Sequence, residues 1–205
     1  MKDLTPTSFA ILAHLAVKSW SAYELATEMT RGMGLIWPRA VSAIYVEPKV
    51  LAEHGYARAS EHRAGKRSRT VYSITDEGRT TLARWLESAP SPPSFSSEAM
   101  VRVFFAEHGT REALLGNIRS IAEHGRSVMA QLVAQQRGYV ETGGPFSERY
   151  HVIAIGARFL MMYASVLIAW SEWAEAEVST WKSMTDGRDR GLATLRESLR
   201  MFAEP

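Results

Sequence analysis

The sequence predicts a mainly α-helical protein in which three short helices and a two-stranded hairpin precede an all-helical C-terminal half. Three observations support this prediction. Helix-start signals and apolar residues at helical spacing fill most of residues 5–55. Two runs of strand-forming residues flank a polar, glycine-containing turn within residues 56–74. After a proline-rich stretch at residues 89–94, apolar residues recur at helical spacing to the end of the chain.

The first two helices have clear start signals. Thr5 and Pro6 have the order of an N-cap followed by proline at the first helical position, where the missing proline N–H costs nothing. Ser21 and Glu24 have capping-box spacing, in which each side chain accepts a hydrogen bond from the other residue's backbone N–H. Glycines at positions 32 and 34 are expected to end the second helix.

The third helix is predicted to open at Trp37 and Pro38 and to end at Gly55. Helical spacing of about 100° per residue separates an apolar inner face from a more polar outer face. The inner face contains Val41, Ile44, Pro48 and Leu51. The outer face contains Arg39, Ser42, Ala43, Val46 and Lys49. Because proline lacks an N–H, Pro48 is expected to bend the helix near Ile44.

A β-hairpin is predicted next. Residues 56–61 and 70–74 form its two short strands, and the residues between them form a polar tip. The tip carries the cations Lys66, Arg67 and Arg69, and Arg58 and Arg63 lie close to it in the sequence. Thr75 then has the position of an N-cap for a fourth helix.

Residues 89–96 are predicted to be a linker between two domains, residues 1–88 and 97–205, because prolines prefer extended backbone. Two helices of the second domain have apolar seams with steps of three and four residues, which are typical of helices that pair. The first seam contains Leu114, Ile118, Ile121, Val128 and Leu132, and the second contains Leu192, Leu195, Leu199 and Phe202. Both seams favour contact with a second copy of the chain, and the alternative is that they pack within one chain.

Composition and motifs argue against several classes of protein. The chain has no cysteine, so disulfides, thiolate metal sites and cysteine catalysis are excluded. It has no metal-binding helix motif, phosphate-binding glycine loop or nucleophile elbow, so we expect neither enzymatic activity nor a cofactor or bound metal ion. The first residues lack the apolar core of a signal peptide, which favours a cytoplasmic location.

A long apolar segment from Val152 to Trp170 is the one candidate for a membrane span. Arg158 lies inside it, and a charge within a span costs about 2.5–3.5 kcal/mol on insertion scales. We therefore expect this helix to be buried in a protein interior. Its aromatic and methionine side chains also offer a candidate effector pocket, with core packing as the alternative reading. The candidate residues are Phe159, Met162, Tyr163, Trp170 and Trp173.

The order of helices and hairpin in the first domain is that of a winged helix-turn-helix, and it favours binding to double-stranded DNA. The outer face of the third helix has small and hydrogen-bonding side chains suited to a major groove about 12 Å wide. The basic hairpin tip supplies cations for phosphates. Residues 1–88 carry 12 Lys and Arg against nine Asp and Glu, whereas residues 89–205 carry 12 against 13. Taken singly, the helix face and the basic tip are each more typical of an ordinary solvated surface.

Eight segments of the first domain together resemble the PadR family of transcriptional regulators. These segments are Phe9 to Leu15, Ser21 to Leu25, Trp37-Pro38, Ser42 to Tyr45, Glu47 to Leu51, Glu53 to Gly55, Val71 to Thr75 and Glu77 to Arg79. The C-terminal half resembles the longer-tailed, Vir-like branch of that family.

The resemblance implies a DNA-binding regulator, usually a repressor, that dimerises through its C-terminal helices. It implies DNA contacts from Tyr23, Ser42, Tyr45, Lys66 and Arg67. A two-fold dimer would place its two recognition helices roughly 34 Å apart, which is about one turn of DNA. Such a dimer predicts a near-palindromic operator. Some relatives respond to phenolic compounds, so a small aromatic effector is a candidate partner. The alternative function is a helical ligand-sensing or protein-interaction module whose wing is purely structural.

Overall fold

The computed structural model describes residues 4–34, 36–37, 41–64, 67–185 and 187–203. The chain divides into two compact units, Met1–Pro93 and Ser94–Pro205. The first contains helices and a small antiparallel sheet, and the described part of the second is helical. The predicted fold class, a winged helix-turn-helix followed by a helical C-terminal unit, is confirmed.

Three helices open the first unit: α1 (Pro6–Val17), α2 (Ala22–Met33) and α3 (Val41–Glu53). Both predicted capping signals are present. The Thr5 hydroxyl accepts the Ser8 N–H at 3.2 Å, and the Ser21 hydroxyl accepts the Glu24 N–H at 3.3 Å. Because each cap satisfies backbone donors that have no partner inside the helix, these local signals fix where α1 and α2 begin.

The core of the first unit forms where the inner face of α3 meets α1 and α2. The most deeply buried apolar side chains are Ile11, Leu12, Leu15, Leu25 and Leu51. Ile44 and Pro48 are also buried, as the predicted inner face requires. Pro48 lies inside α3, which continues past it to Glu53. The Ser8 hydroxyl donates to Glu47 Oε1 at 2.5 Å and ties α1 to α3.

The sheet has three antiparallel strands: β1 (Trp20–Ser21), β2 (Ala57–Ala64) and β3 (Arg67–Ile74), in the order β1-β3-β2. The hairpin strands are longer than predicted, and β1 was not predicted. Trp20 pairs with Tyr72, and the buried Trp20 indole donates to the His14 carbonyl at 2.8 Å. Helix α4 (Asp76–Glu87) follows β3, with the predicted Thr75 cap in place.

The second unit is built around a helical hairpin. Helix α5 (Glu98–Phe104) and a 3₁₀ turn (Ala106–His108) precede α6 (Arg111–Thr142), and a second 3₁₀ turn (Ser147–Arg149) precedes α7 (Tyr150–Ser179). Gly143, with φ of 70°, ends α6. Helix α8 (Arg188–Phe202) follows.

The first predicted seam lies inside the chain, which corrects its assignment as a surface for a partner. Leu114, Leu115 and Ile118 form a buried cluster with Ala174 and Val178 of α7. Val128 and Leu132 form a second buried cluster with Leu160 and Ala164 of α7, and Ile121 is buried as well. Three-four spacing identified the apolar face of α6, but the neighbour that covers this face is the antiparallel α7 of the same chain.

The expectation that α7 is buried also needs correction. The helical stretch Ser147–Ser179, which is α7 with the 3₁₀ turn before it, is long and apolar enough to cross a membrane by length and composition. Only 11% of its most apolar window is buried within the chain. The exposed large apolar side chains follow steps of three and four residues up to Val166, and Trp173 lies a further seven residues on. We call this row, Val152, Ile155, Phe159, Met162, Val166 and Trp173, the α7 stripe. Helix α7 thus has one face that packs on α6 and a second apolar face that the single chain leaves uncovered.

Candidate nucleic-acid interface

The outer face of α3 is accessible. Val46 is 60% exposed, and Tyr45, Ala43 and Lys49 are exposed beside it. Lys49 Nζ lies 3.9 Å from Glu53 Oε1, a loose pair between two exposed side chains that leaves the ammonium free to turn toward another anion. Tyr45, a DNA contact that the resemblance implies, is on the open side.

The start of α2 adds a second exposed group. Tyr23 is 69% exposed and lies in the first turn, two residues after the capping Ser21. Backbone N–H groups and the positive end of the helix dipole meet at this terminus, which favours anions such as phosphate. The capping box consumes two of these donors, so the exposed tyrosine hydroxyl is the additional polar group that this turn presents.

The wing is a regular two-stranded ladder whose pairs run from Ala57 opposite Ile74 to Ala64 opposite Arg67. Residues that were expected in the polar tip therefore belong to the strands. Arg39 and Lys66, and the side chains of Ser42 and Arg67, lie outside the described part of the structure, so their predicted contacts with DNA stay predictions.

A cleft between the end of α3 and the base of the wing was not anticipated from the sequence. Its volume is about 420 Å³, and its walls include Lys49, Arg58, Glu53 and Tyr72. The pairing of Arg58 with Ser73 in the β2–β3 ladder sets the arginine at the wing base. Lys49 and Arg58 come together at this cleft because β2 folds beside α3, which the sequence did not reveal.

Arg69 is engaged within the protein. Its Nη1 lies 3.1 Å from Glu24 Oε1, while Glu24 Oε2 accepts hydrogen bonds from the Ser21 N–H and the Ser21 hydroxyl. The hydrogen bonds from the Ser21 N–H and then from the Ser21 hydroxyl hold the pKa of Glu24 below its ordinary range. Desolvation opposes this shift, and the Arg69 charge adds a smaller lowering of the pKa. Glu24 is therefore ionised at neutral pH and joins the start of α2 to the wing.

The candidate effector residues divide between an exposed and a partly buried side of α7. Phe159, Met162 and Trp173 are exposed members of the α7 stripe. Tyr163 is half-buried beside them, and Trp170 packs against the cluster around Leu114. The second predicted seam, on α8, is exposed along its length at Leu192, Leu195, Leu199 and Phe202. Both apolar faces are available to a partner.

These features define a winged helix-turn-helix protein with an open recognition-helix face and a helical C-terminal unit. The predicted resemblance to the PadR family is confirmed by sequence. The chain is 36% identical over 86 residues, 40% of its length, to a probable transcriptional regulator of Mycobacterium tuberculosis. It is 29% identical over 99 residues, 47% of its length, to the negative transcriptional regulator PadR of Bacillus subtilis. The aligned segments cover 44% and 54% of those relatives. No family model matches the chain.

Solved structures have the same fold over most of the chain. B. subtilis PadR in complex with operator DNA superposes with a TM-score of 0.72 at 20% identity, covering 85% of this chain and 99% of that one. The same regulator with p-coumaric acid gives 0.65 at 19% identity, covering 84% and 98%. The Vibrio cholerae virulence activator AphA gives 0.62 at 19% identity, covering 84% and 97%. The fold is therefore that of PadR-like transcriptional regulators.

Proposed function

We propose that this chain is a sequence-specific, DNA-binding transcriptional regulator that works as a homodimer in the cytoplasm. The observation that carries the proposal is the division of α3 into a buried face, with Ile44, Pro48 and Leu51, and an open face, with Tyr45 and Val46. A helix anchored on one side and open on the other can enter a major groove.

In this proposal the α3 face reads bases and the surrounding groups hold phosphates. Ala43 and Val46 would meet thymine methyl groups, and Arg39 and Ser42 would read base edges. Lys49, Lys66, Arg67 and the hydroxyl of Tyr23 would contact the phosphate backbone. Cations around the wing supply the sequence-independent part of the affinity, which falls as salt is added.

The proposed dimer forms through the α7 stripe and the open face of α8. Both faces carry apolar side chains at the three-four spacing of helix–helix contacts, and the single chain covers neither. A two-fold dimer presents two copies of the α3 surface, so the proposed operator is near-palindromic.

Repression and release by a small aromatic effector complete the proposal. One relative is a negative regulator, and the p-coumaric acid complex belongs to that same protein. The two candidate effector residues that lie outside the α7 stripe, the half-buried Tyr163 and Trp170, would bind such a ligand in this chain. A reporter gene behind the selected operator tests repression, and p-coumaric acid added to the protein–DNA complex is the first probe of release.

Selection of duplexes from a random pool by the purified protein, followed by salt titration of the preferred duplex, tests DNA binding. We expect a near-palindromic site and steep loss of affinity with salt. Lys49→Ala should reduce the salt slope by about one, whereas Lys182→Ala, an exposed lysine of the C-terminal unit, should leave it unchanged. The Lys66/Arg67 double alanine variant should also reduce the slope.

Base reading is tested separately at the third helix. Arg39→Ala or Ser42→Ala should cost about 1–3 kcal/mol on the operator if the side chain reads a base. Equal weakening on operator and random DNA would instead assign these residues to positioning. If no duplex is retained from the pool, the chain is better described by the alternative, a ligand-sensing or protein-interaction module with a structural wing.

A further inference from the structure

The Glu24 side chain is fixed by the helix cap as well as by its contact with the wing. Its Oε2 accepts the Ser21 N–H at 2.9 Å and the Ser21 hydroxyl at 2.8 Å, so two donors of the capping residue fix the carboxylate. Its other oxygen, Oε1, points to Arg69 of β3 at 3.1 Å. An exposed ion pair normally loses much of its value to side-chain ordering, but here one partner is already ordered by the helix cap.

The Glu24–Arg69 pair lies just beyond the part of β3 that pairs with β1. Strand β1 pairs with β3 only at Trp20–Tyr72 and Ser21–Val71. Arg69 is two residues farther along β3 toward the wing tip, opposite His62 of β2. Among the described residues, the Glu24–Arg69 contact is the ion pair that joins this outer part of the wing to a helix.

We propose that Glu24 and Arg69 form a clamp that sets the angle of the wing against the start of α2, so that Arg69 is a positioning residue for DNA binding and not a phosphate contact. The clamp rests on the proposed function. It has two consequences for a bound duplex: the wing cations are presented at a fixed place, and the Glu24 carboxylate beside the exposed Tyr23 is neutralised before it can repel phosphates.

Glu24→Gln separates the clamp from a phosphate contact, because the two roles predict opposite signs. Glutamine keeps the capping hydrogen bonds but removes the charge that holds Arg69. If the clamp exists, Glu24→Gln and Arg69→Gln each weaken operator binding about three- to fivefold. The double variant then binds no more weakly than either single variant. The slope of operator affinity against salt concentration stays unchanged in all three variants. If Arg69 contacts phosphate, Arg69→Gln lowers the slope by about one and Glu24→Gln leaves binding equal or tighter, which overturns the clamp.

Glu28→Gln is the matched control. Glu28 pairs with Arg31 at 2.6 Å on the same helix, one turn farther on, without touching the wing. The Glu28→Gln variant measures how much DNA affinity is gained when one negative charge is removed from α2. Binding by Glu28→Gln should equal or slightly exceed that of the unmodified chain, in contrast to Glu24→Gln.

A spin label on the wing tests the clamp without DNA. The sequence contains no cysteine, so Ser68→Cys introduces a single attachment point on an exposed residue of β3. The nitroxide should become more mobile in Glu24→Gln and Arg69→Gln and stay unchanged in Glu28→Gln. Equal mobility in all four proteins overturns the clamp even if DNA binding stands. A pool selection that retains no duplex refutes the proposed function, whereas a mobility change in the two clamp variants would still locate the contact.

Discussion

Truncation of Phe159 tests the proposed dimer surface. This side chain lies in the middle of the α7 stripe and is 62% exposed in the single chain. Full burial of a phenylalanine side chain stabilises by about 1.5–3 kcal/mol, so covering the exposed part is worth about 1–2 kcal/mol in each copy. A symmetric dimer buries it twice, and Phe159→Ala should therefore cost about 2–4 kcal/mol of association free energy. At 1.4 kcal/mol per tenfold change, the dimer Kd should rise from about 30-fold to several hundredfold.

Sedimentation velocity over a wide range of protein concentration measures this Kd. Two control variants separate association from folding. Leu86→Ala removes a side chain that is 68% exposed on α4, in the other unit, and should leave the Kd within about twofold. Leu160→Ala removes the buried neighbour of Phe159 and should instead lower the free energy of unfolding by about 2–5 kcal/mol.

Two results would refute the reasoning. A chain that sediments as a monomer at every concentration has no dimer for the stripe to form. A dimer whose Kd is the same in Phe159→Ala as in the unmodified chain is held by other surfaces, such as the exposed face of α8.

The remaining predictions concern the two units separately. Gly78→Ala should lower the free energy of unfolding by about 1–3 kcal/mol in urea titration, because the added Cβ would overlap the Tyr56 carbonyl oxygen; an unchanged midpoint would contradict this close approach. Since the pKa of Glu24 is lowered in the folded state, its contribution to stability is complete above the ordinary glutamate range and is lost as the pH falls through the lowered value. Glu24→Gln should therefore flatten the acid limb of stability against pH, and parallel curves would argue against it. Arg126→Ala should change stability by less than about 1 kcal/mol, because its pair with Glu172 is exposed on both sides; a larger loss would show a wider network.

Local signals in the sequence located most helix boundaries. Thr5, Ser21 and Thr75 are N-caps as predicted, and Gly55 adopts the positive φ of 81° that suits a glycine after a helix. The burial of Ile44, Pro48 and Leu51 followed from helical spacing alone. These features depend on a few neighbouring residues, so the sequence contains all the information that they need.

Features that depend on distant residues were not predictable in the same way. β1 has only two residues, too few for any alternation, and it forms because β3 lies beside Trp20. The seam of α6 correctly marked an apolar face, but spacing cannot tell a partner in the same chain from one in another chain. The α7 stripe was hidden because the segment is apolar on nearly every side, so its period was visible only after α6 had covered one face.

Gly125 gives a further example of a long-range cause. It interrupts the apolar seam of α6, where glycine is unfavourable for a helix. In the fold it is buried against α7, and a Cβ there would lie 3.0 Å from Ile168 Cγ1 and 3.1 Å from Leu167 Cβ. The glycine allows the two long helices to approach closely, which no property of α6 alone reveals.

The order of the sheet leaves one edge of β2 open among the described strands, since β3 occupies its other side. Unpaired backbone donors and acceptors on such an edge are a template for strands of other molecules and hence for aggregation. Along this strand the exposed side chains include Arg58, Glu61 and His62, so a foreign strand would have to desolvate charges of both signs to add to the sheet. The exposed charges along β2 therefore disfavour edge-to-edge addition of a second copy of this strand.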